Sequence, residues 1–115
     1  MAVELYGIPN CDTVKKARLW LDSAGVDYTF HDYKKEGADP ALLGQWADAA
    51  GWEVLLNRRG TTFRKLDEAD RQAINAAKAI ALMSQHPSMI KRPVVVYEGG
   101  VLVGFDPEKW VSALT

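Results

Sequence analysis

The stretch LYGIPNCDTVKKARLWL, residues 5–21, changes its period halfway along. Val3 to Tyr6 is a short β-prone run, and the turn residues Gly7-Ile8-Pro9-Asn10 end it. From Asp12 the repeat is helical: Val14, Ala17, Leu21 and Ala24 share one face, with Trp20 beside them. Lys15, Lys16, Arg18 and Asp22 take the other positions, and Gly25 reads as the helix stop. Between the two periods stands Cys11, the only cysteine of the chain. It falls at the N-cap of the predicted helix, where the unpaired N–H groups of the first turn and the positive end of the dipole stabilise an anion. Free cysteines are more often small buried apolar residues. Here Pro-Asn before and Asp-Thr after make a polar turn, and Lys15 and Lys16 add positive charge one turn on, against the opposing Asp12. The reading is a reactive thiol.

Working outward, Val26 to Tyr33 alternates as a second strand through Val26, Tyr28 and Phe30. Strand, helix, strand is the βαβ unit of a parallel pair. The middle of the chain is helical. Asp39-Pro40 is an N-cap followed by proline at the first helical position, and Leu42, Leu43, Trp46, Ala47 and Ala50 form a stripe that stops at Gly51. Trp52 to Leu56 reads as a further short turn of helix before the basic loop Asn57-Arg58-Arg59-Gly60. Glu68 to Gln85 reads as two helices broken near Ala73 to Asn75, with Ile74, Ala77 and Ala81 on one stripe and Ala76, Ile80 and Met83 beside it. His86-Pro87 starts a new short element.

The last third returns to strands. Pro93 to Tyr97 is a continuous apolar run, as a strand covered on both faces requires. Glu98-Gly99-Gly100 is a hairpin turn, and Val101 to Val103 pairs back antiparallel. Pro107 to Leu114 is a final helix capped by Asp106. The order βαβ, helical insertion, ββα is the thioredoxin-like α/β plan: a mixed four-stranded sheet with a helical subdomain. No repeat or low-complexity linker suggests a boundary, so residues 1–115 read as a single domain.

Composition limits the function classes. The 14 Lys+Arg balance 15 Asp+Glu to a net charge of −1, so no global field recruits nucleic acid or anionic lipid. A single cysteine excludes an intrachain disulfide, and no metal-ligand spacing occurs. The N-terminus lacks the pattern of a signal peptide, and no apolar run is long enough for a membrane span, so the expected location is cytoplasmic. His31 and His86 form no readable Cys–His pair; each reads as a surface or satisfied histidine. Two basic clusters border loops, Arg58-Arg59 with Arg64-Lys65 and Lys91-Arg92. In a βαβ–ββα fold the start of the strand at Pro93 returns beside the first helix N-terminus, which makes Lys91-Arg92 a candidate anion site near Cys11.

Four segments carry a family resemblance: LYGIPNCDTVKKARLWL, LLNRRGTTFRKL (55–66), PSMIKRPVVV (87–96) and VGFDPEKW (103–110). Together they resemble the ArsC-like family, which includes glutaredoxin-coupled arsenate reductases, the transcriptional regulator Spx and a YffB-like branch suggested to be glutathione-dependent thiol reductases. The resemblance implies that Cys11 is the nucleophile and that Arg92 precedes the cis-proline, Pro93, facing it. It implies substrate binding by Asn10, Lys15, Arg58, Arg59, Arg92 and Pro93, with no bound cofactor and glutathione as co-substrate. The implied partners are glutathione and, secondarily, glutaredoxin, with RNA polymerase a partner only if the chain acts as a Spx-like regulator. Arsenate reductases have an arginine where this chain has Asn57 and another at the position of Phe105, and Spx-type C-x-x-C is broken by Val14. The chain therefore looks most like the YffB-like branch, a thiol-disulfide oxidoreductase with one nucleophilic cysteine. A Spx-like regulator without turnover is the alternative, and an arsenate reductase the least favoured.

Overall fold

The computed structural model describes residues 3–115. The elements are β1 (Glu4–Gly7), α1 (Asp12–Ser23), β2 (Thr29–Asp32), α2 (Tyr33–Glu36), α3 (Pro40–Ala50), α4 (Trp52–Leu55), α5 (Thr61–Arg64), α6 (Glu68–Arg71) and α7 (Ala76–Gln85). A 3-10 turn over Pro87–Met89, strands β3 (Val94–Tyr97) and β4 (Gly100–Val103), and helix α8 (Pro107–Leu114) complete the chain. They fall into two units: the chain up to Glu36 with Arg92–Thr115, and Gly37–Lys91.

The first unit is the thioredoxin-like α/β fold, built on a mixed four-stranded sheet in the order β2-β1-β3-β4. β1 pairs parallel with β2 from Glu4↔Thr29 to Gly7↔Asp32, and antiparallel with β3 through Tyr6↔Val94. β3 and β4 form the expected hairpin, with a turn of Glu98-Gly99: Gly100, read as part of the turn, is the first residue of β4 and pairs with Tyr97. Val94 and Val95 are fully buried, as the unbroken apolar run requires. One core cluster joins Val3, Leu5, Ala17, Leu21, Val95, Trp110 and Leu114. Burying a leucine or valine of this kind contributes about 1.5–3 kcal/mol. Trp110 is held on three sides: Trp20 meets it edge-on at 5.7 Å, Phe105 at 4.9 Å, and its indole N–H donates to the Gly104 carbonyl at 3.2 Å.

Helix α1 buries Val14, Ala17 and Leu21, three of the four residues of the predicted stripe; Ala24 is the exposed C-cap. The helix lies very close to β1: a Cβ added at Gly7 would sit 2.8 Å from Val14 Cγ2. Strand β2 is shorter than the alternation predicts. The Asp32 carboxylate accepts the Lys34 N–H at 3.0 Å, so the chain turns there and Tyr33 becomes the first residue of α2 instead of the last of the strand.

The second unit is all-helical. Asp39 caps α3 as expected, accepting the Ala41 N–H at 2.9 Å, and Leu43 and Trp46 are buried. The break after α6 falls where predicted, with Ala73 at φ 52 and Asn75 capping α7 through the Lys78 N–H at 2.9 Å. The buried face of α7 differs from the predicted one. It is Ala79, Leu82 and Met83, while Ala77 and Ala81 are exposed. Ile74 lies before the cap, so it does not share the helix's phase, and a stripe counted from it is rotated. A bridge between Leu56 and Ile90, flanked by Asn57 N–H to Met89 carbonyl at 2.7 Å and Lys91 N–H to Leu55 carbonyl at 2.8 Å, ties the basic loop to the end of the unit.

Two glycines give opposite expectations. At Gly7 the neighbour is a stiff β-branched side chain inside the core, so Gly7→Ala is expected to destabilise by about 1–3 kcal/mol. Gly44 lies in α3 with nothing within 4 Å of an added Cβ. Gly44→Ala is expected to stabilise by about 0.5–1 kcal/mol through helix propensity. Urea unfolding midpoints of the two variants, shifted in opposite directions, check both.

Candidate thiol site

Cys11 is the N-cap of α1, with extended backbone (φ −85, ψ 128) and no side-chain capping hydrogen bond. Its N–H donates to the Ile8 carbonyl at 3.2 Å, closing the turn, and its carbonyl accepts the Lys15 N–H at 2.9 Å, opening the helix. The thiol is free and half-buried. Pro9 and Asn10 are exposed in the turn, and Lys15 and Lys16 are exposed on the helix.

Arg92 is half-buried and joined to the buried Pro93 by a cis peptide bond. The Pro93 carbonyl accepts the Gly104 N–H at 2.8 Å, fixing the segment to the end of the hairpin. The arrangement has a further member that the sequence reading passed over. Tyr33, only 2% exposed, lies within electrostatic range of the Arg92 guanidinium and of Cys11. Burial pushes its phenol well above the usual range, against the lowering pull of the Arg92 guanidinium, and a thiolate at Cys11 would raise it further. The signal that could have found Tyr33 is Asp32 followed by helix formers, an N-cap that ends the strand one residue early.

Arg58 and Arg59 belong to the helical unit. The Arg59 N–H donates to Asn57 Oδ1 at 3.2 Å, and the Arg58 guanidinium lies 5.4 Å from the Trp52 ring centre. With Lys91, Glu53, Leu56 and Asn57 they line a cleft of about 330 Å³ with an excess of positive charge. Asn57, where the resemblance led to the expectation of an arginine in arsenate reductases, shapes the loop through its hydrogen bond to the Arg59 N–H. Phe105, the other such position, packs on Trp110 against the sheet unit's core.

His31 is a satisfied histidine, as expected. Its ring stacks on Tyr6 at 4.6 Å, Nε2 pairs with Glu4 at 2.7 Å and Nδ1 with Glu36 at 3.1 Å. The two contacts tie β2 to β1 through Glu4 and to the last residue of α2 through Glu36. Burial would lower the imidazole's pKa, but the hydrogen bonds and charges of Glu4 and Glu36 outweigh it and hold it above the ordinary value.

The segments around Cys11 and Pro93 lie within a family-wide match. Residues 6–113 match the ArsC family, and the chain belongs to that family. Among solved structures, a protein named YffB is 55% identical, with a TM-score of 0.95 over 98% of this chain and 99% of that one. An arsenate reductase (ArsC) related protein from Brucella melitensis is 54% identical, with a TM-score of 0.78 over 97% and 93% of the two chains. A Haemophilus influenzae protein described as uncharacterized is 39% identical over 111 residues, 96% of this chain and 97% of its own. The global transcriptional regulator Spx of Streptococcus mutans is 28% identical over 109 residues, 93% of this chain and 79% of its own. Within the family the chain goes with the YffB-like branch. Among the described residues no helix is long and apolar enough to cross a membrane.

The His31 contacts make stability depend on pH with a definite sign. Because the folded-state pKa is raised, their contribution is fully present below the unfolded value of about 6.5 and is lost as pH rises through the folded value. Wild type should therefore exceed His31→Gln in stability at pH 6, and the difference should shrink by pH 8. With His31 25% exposed and Glu36 54% exposed, solvent screening holds the effect to at most about 1 kcal/mol. Paired urea melts across that range check it.

Proposed function

We propose that this protein is a thiol-disulfide oxidoreductase in which Cys11 forms a mixed disulfide with glutathione. The observation that carries the reading is a single free cysteine at the N-cap of α1, in the same unit as Arg92 and Pro93. Three features match the demands of that chemistry: a site that favours an anion, a cation for a substrate carboxylate, and a proline-bordered strand start. The Cys11 thiolate attacks one sulfur of a disulfide; the new S–S bond forms as the old one breaks, and the other sulfur leaves as a thiolate. No second cysteine can resolve the adduct, so an external thiol does, either a second glutathione or glutaredoxin. Arg92 holds an anionic group of the substrate, with Asn10 and Lys15 beside the thiol and the Arg58–Arg59 loop as a further anion site.

Arsenate reduction fits less well. An oxyanion on a thiolate needs several forked, permanently charged donors, and Asn57 and Phe105 supply none. Likeness to Spx favours a second reading, a regulator that binds RNA polymerase without turnover; the missing second cysteine of C-x-x-C weighs against it. A pull-down of RNA polymerase beside the thiol assays separates the two.

Mass spectrometry after incubation with oxidised glutathione is expected to show one adduct, absent in Cys11→Ser. Arg92→Ala should slow its formation by about one to two orders of magnitude, the equivalent of about 1.5–3 kcal/mol for a charged hydrogen bond. In an NADPH-coupled assay with glutathione and glutaredoxin, arsenate turnover should be negligible. Brisk Cys11-dependent arsenate turnover, or no adduct at all, would overturn the reading.

A further inference from the structure

His31 meets two carboxylates at once. Its Nε2 lies 2.7 Å from Glu4 Oε2 and its Nδ1 lies 3.1 Å from Glu36 Oε1. An ionised carboxylate offers acceptors only, so both contacts are hydrogen bonds only while both ring nitrogens carry protons. A neutral imidazole has a single N–H, and its other nitrogen then turns a lone pair toward a carboxylate. The remaining groups around the ring do not alter this count. Tyr6 of β1 stacks on it at 4.6 Å; burial, then Glu4 and Glu36, push that phenol upward, so it stays neutral wherever imidazole titrates. The Asp32 carboxylate of β2 is engaged at the Lys34 N–H, and Lys34 and Lys35 of α2 are exposed.

The two contacts are unequal. Glu4 belongs to the central strand β1, its side chain is 36% exposed, and its contact is the shorter one. Glu36 is 54% exposed and is the last residue of a four-residue helix. One turn of helix does not hold itself together in water. The start of α2 is fixed by the buried Tyr33 and by the Asp32 turn. Residues 34–37 are all exposed, and Gly37, at φ +84, is where the chain enters the helical unit. Burial cannot hold this end, which leaves the Glu36 side chain to tie it to the sheet.

We propose that His31 is a proton-dependent latch on the end of α2: the imidazolium pins Glu36 to the sheet, and loss of the Nδ1 proton frees residues 34–37 while Nε2–H stays on Glu4. The latch is closed below the titration of His31 and opens as pH rises through it. Burial lowers that titration, but Glu4 and Glu36 outweigh it, so opening falls above about pH 6.5. The device is independent of the chemistry of Cys11.

The test is nuclear magnetic resonance on the isotope-labelled full chain, from about pH 5.5 to 8.5, reading the His31 ring nitrogens and backbone order together. Both nitrogens should be protonated at the acid end, and Nε2 alone at the alkaline end. Order parameters of residues 34–37 are expected to fall through the same midpoint, from about 0.85 toward 0.6. Glu36→Ala changes an exposed side chain. It should lower the His31 midpoint by about 0.3–0.7 pH unit and leave residues 34–37 at the lower order throughout. A neutral ring that keeps its proton on Nδ1 overturns the proposal. So does order at 34–37 that ignores the titration of His31, that falls with pH in Glu36→Ala as it does in wild type, or that stays high in that variant.

Discussion

The near-contact of α1 with β1 at Gly7 is the constraint on which the candidate site depends. Gly7 ends the central strand, and Val14, one turn into the helix, fills the space that a side chain at position 7 would occupy. Only four residues separate the end of β1 from the start of α1, so this packing fixes how the Ile8–Cys11 turn is strung between them. The thiol lies at the N-cap, where the Cys11 N–H closes the turn on the Ile8 carbonyl and the Cys11 carbonyl accepts the Lys15 N–H of the first helical turn. Backbone N–H groups of the first turn are then presented beside the sulfur by geometry alone, with no dedicated side chain.

Around that point the sheet unit uses neutral groups where bare charge would be costly. Arg92 is half-buried, within electrostatic range of the Tyr33 phenol. The Trp110 cluster occupies the position of a family arginine with Phe105, and its rings meet edge-on at distances suited to their quadrupoles. Charge is concentrated instead at the partly exposed His31–Glu4–Glu36 group. There water still screens it, and the contacts join β2 to β1 and to the end of α2. The result is a unit whose described buried side chains carry no ionisable group other than the Tyr33 phenol.

The helical unit is organised by caps and breaks more than by propensity. Asp39, Asn75 and the left-handed Ala73 decide where helices begin, and the Leu56–Ile90 bridge decides that the basic loop and Lys91 share a cleft. The loop itself is shaped by Asn57, whose carboxamide oxygen turns the chain at Arg59 and whose amide nitrogen would meet a Cβ at Gly60 at 3.0 Å. An asparagine in that place does a backbone's work that a longer, charged side chain would not reproduce.

Local patterns determined a great deal. The change of period after Asn10, the proline-and-aspartate caps of α3 and α8, the hairpin at Glu98-Gly99 and the N-cap position of Cys11 all follow from interactions within a few residues, which sequence reports directly. Family likeness added Arg92-Pro93 and the two positions, Asn57 and Phe105, where expected arginines are missing. The buried face of α7 was misjudged because its phase is set at Asn75, and a stripe counted from Ile74 carries the wrong rotation across the break. Tyr33 was assigned to the strand as the last residue of the run from Val26, although the alternation of Val26, Tyr28 and Phe30 does not reach it in phase. Its place as the buried first residue of α2 depends on the Asp32 turn. The sequence by itself determined the candidate residue, Cys11, and the helix that carries it, since a cap is a local structure. Which residues share its end of the sheet was decided only by tertiary structure, because two strand registers must first bring residues 11, 33 and 92 there.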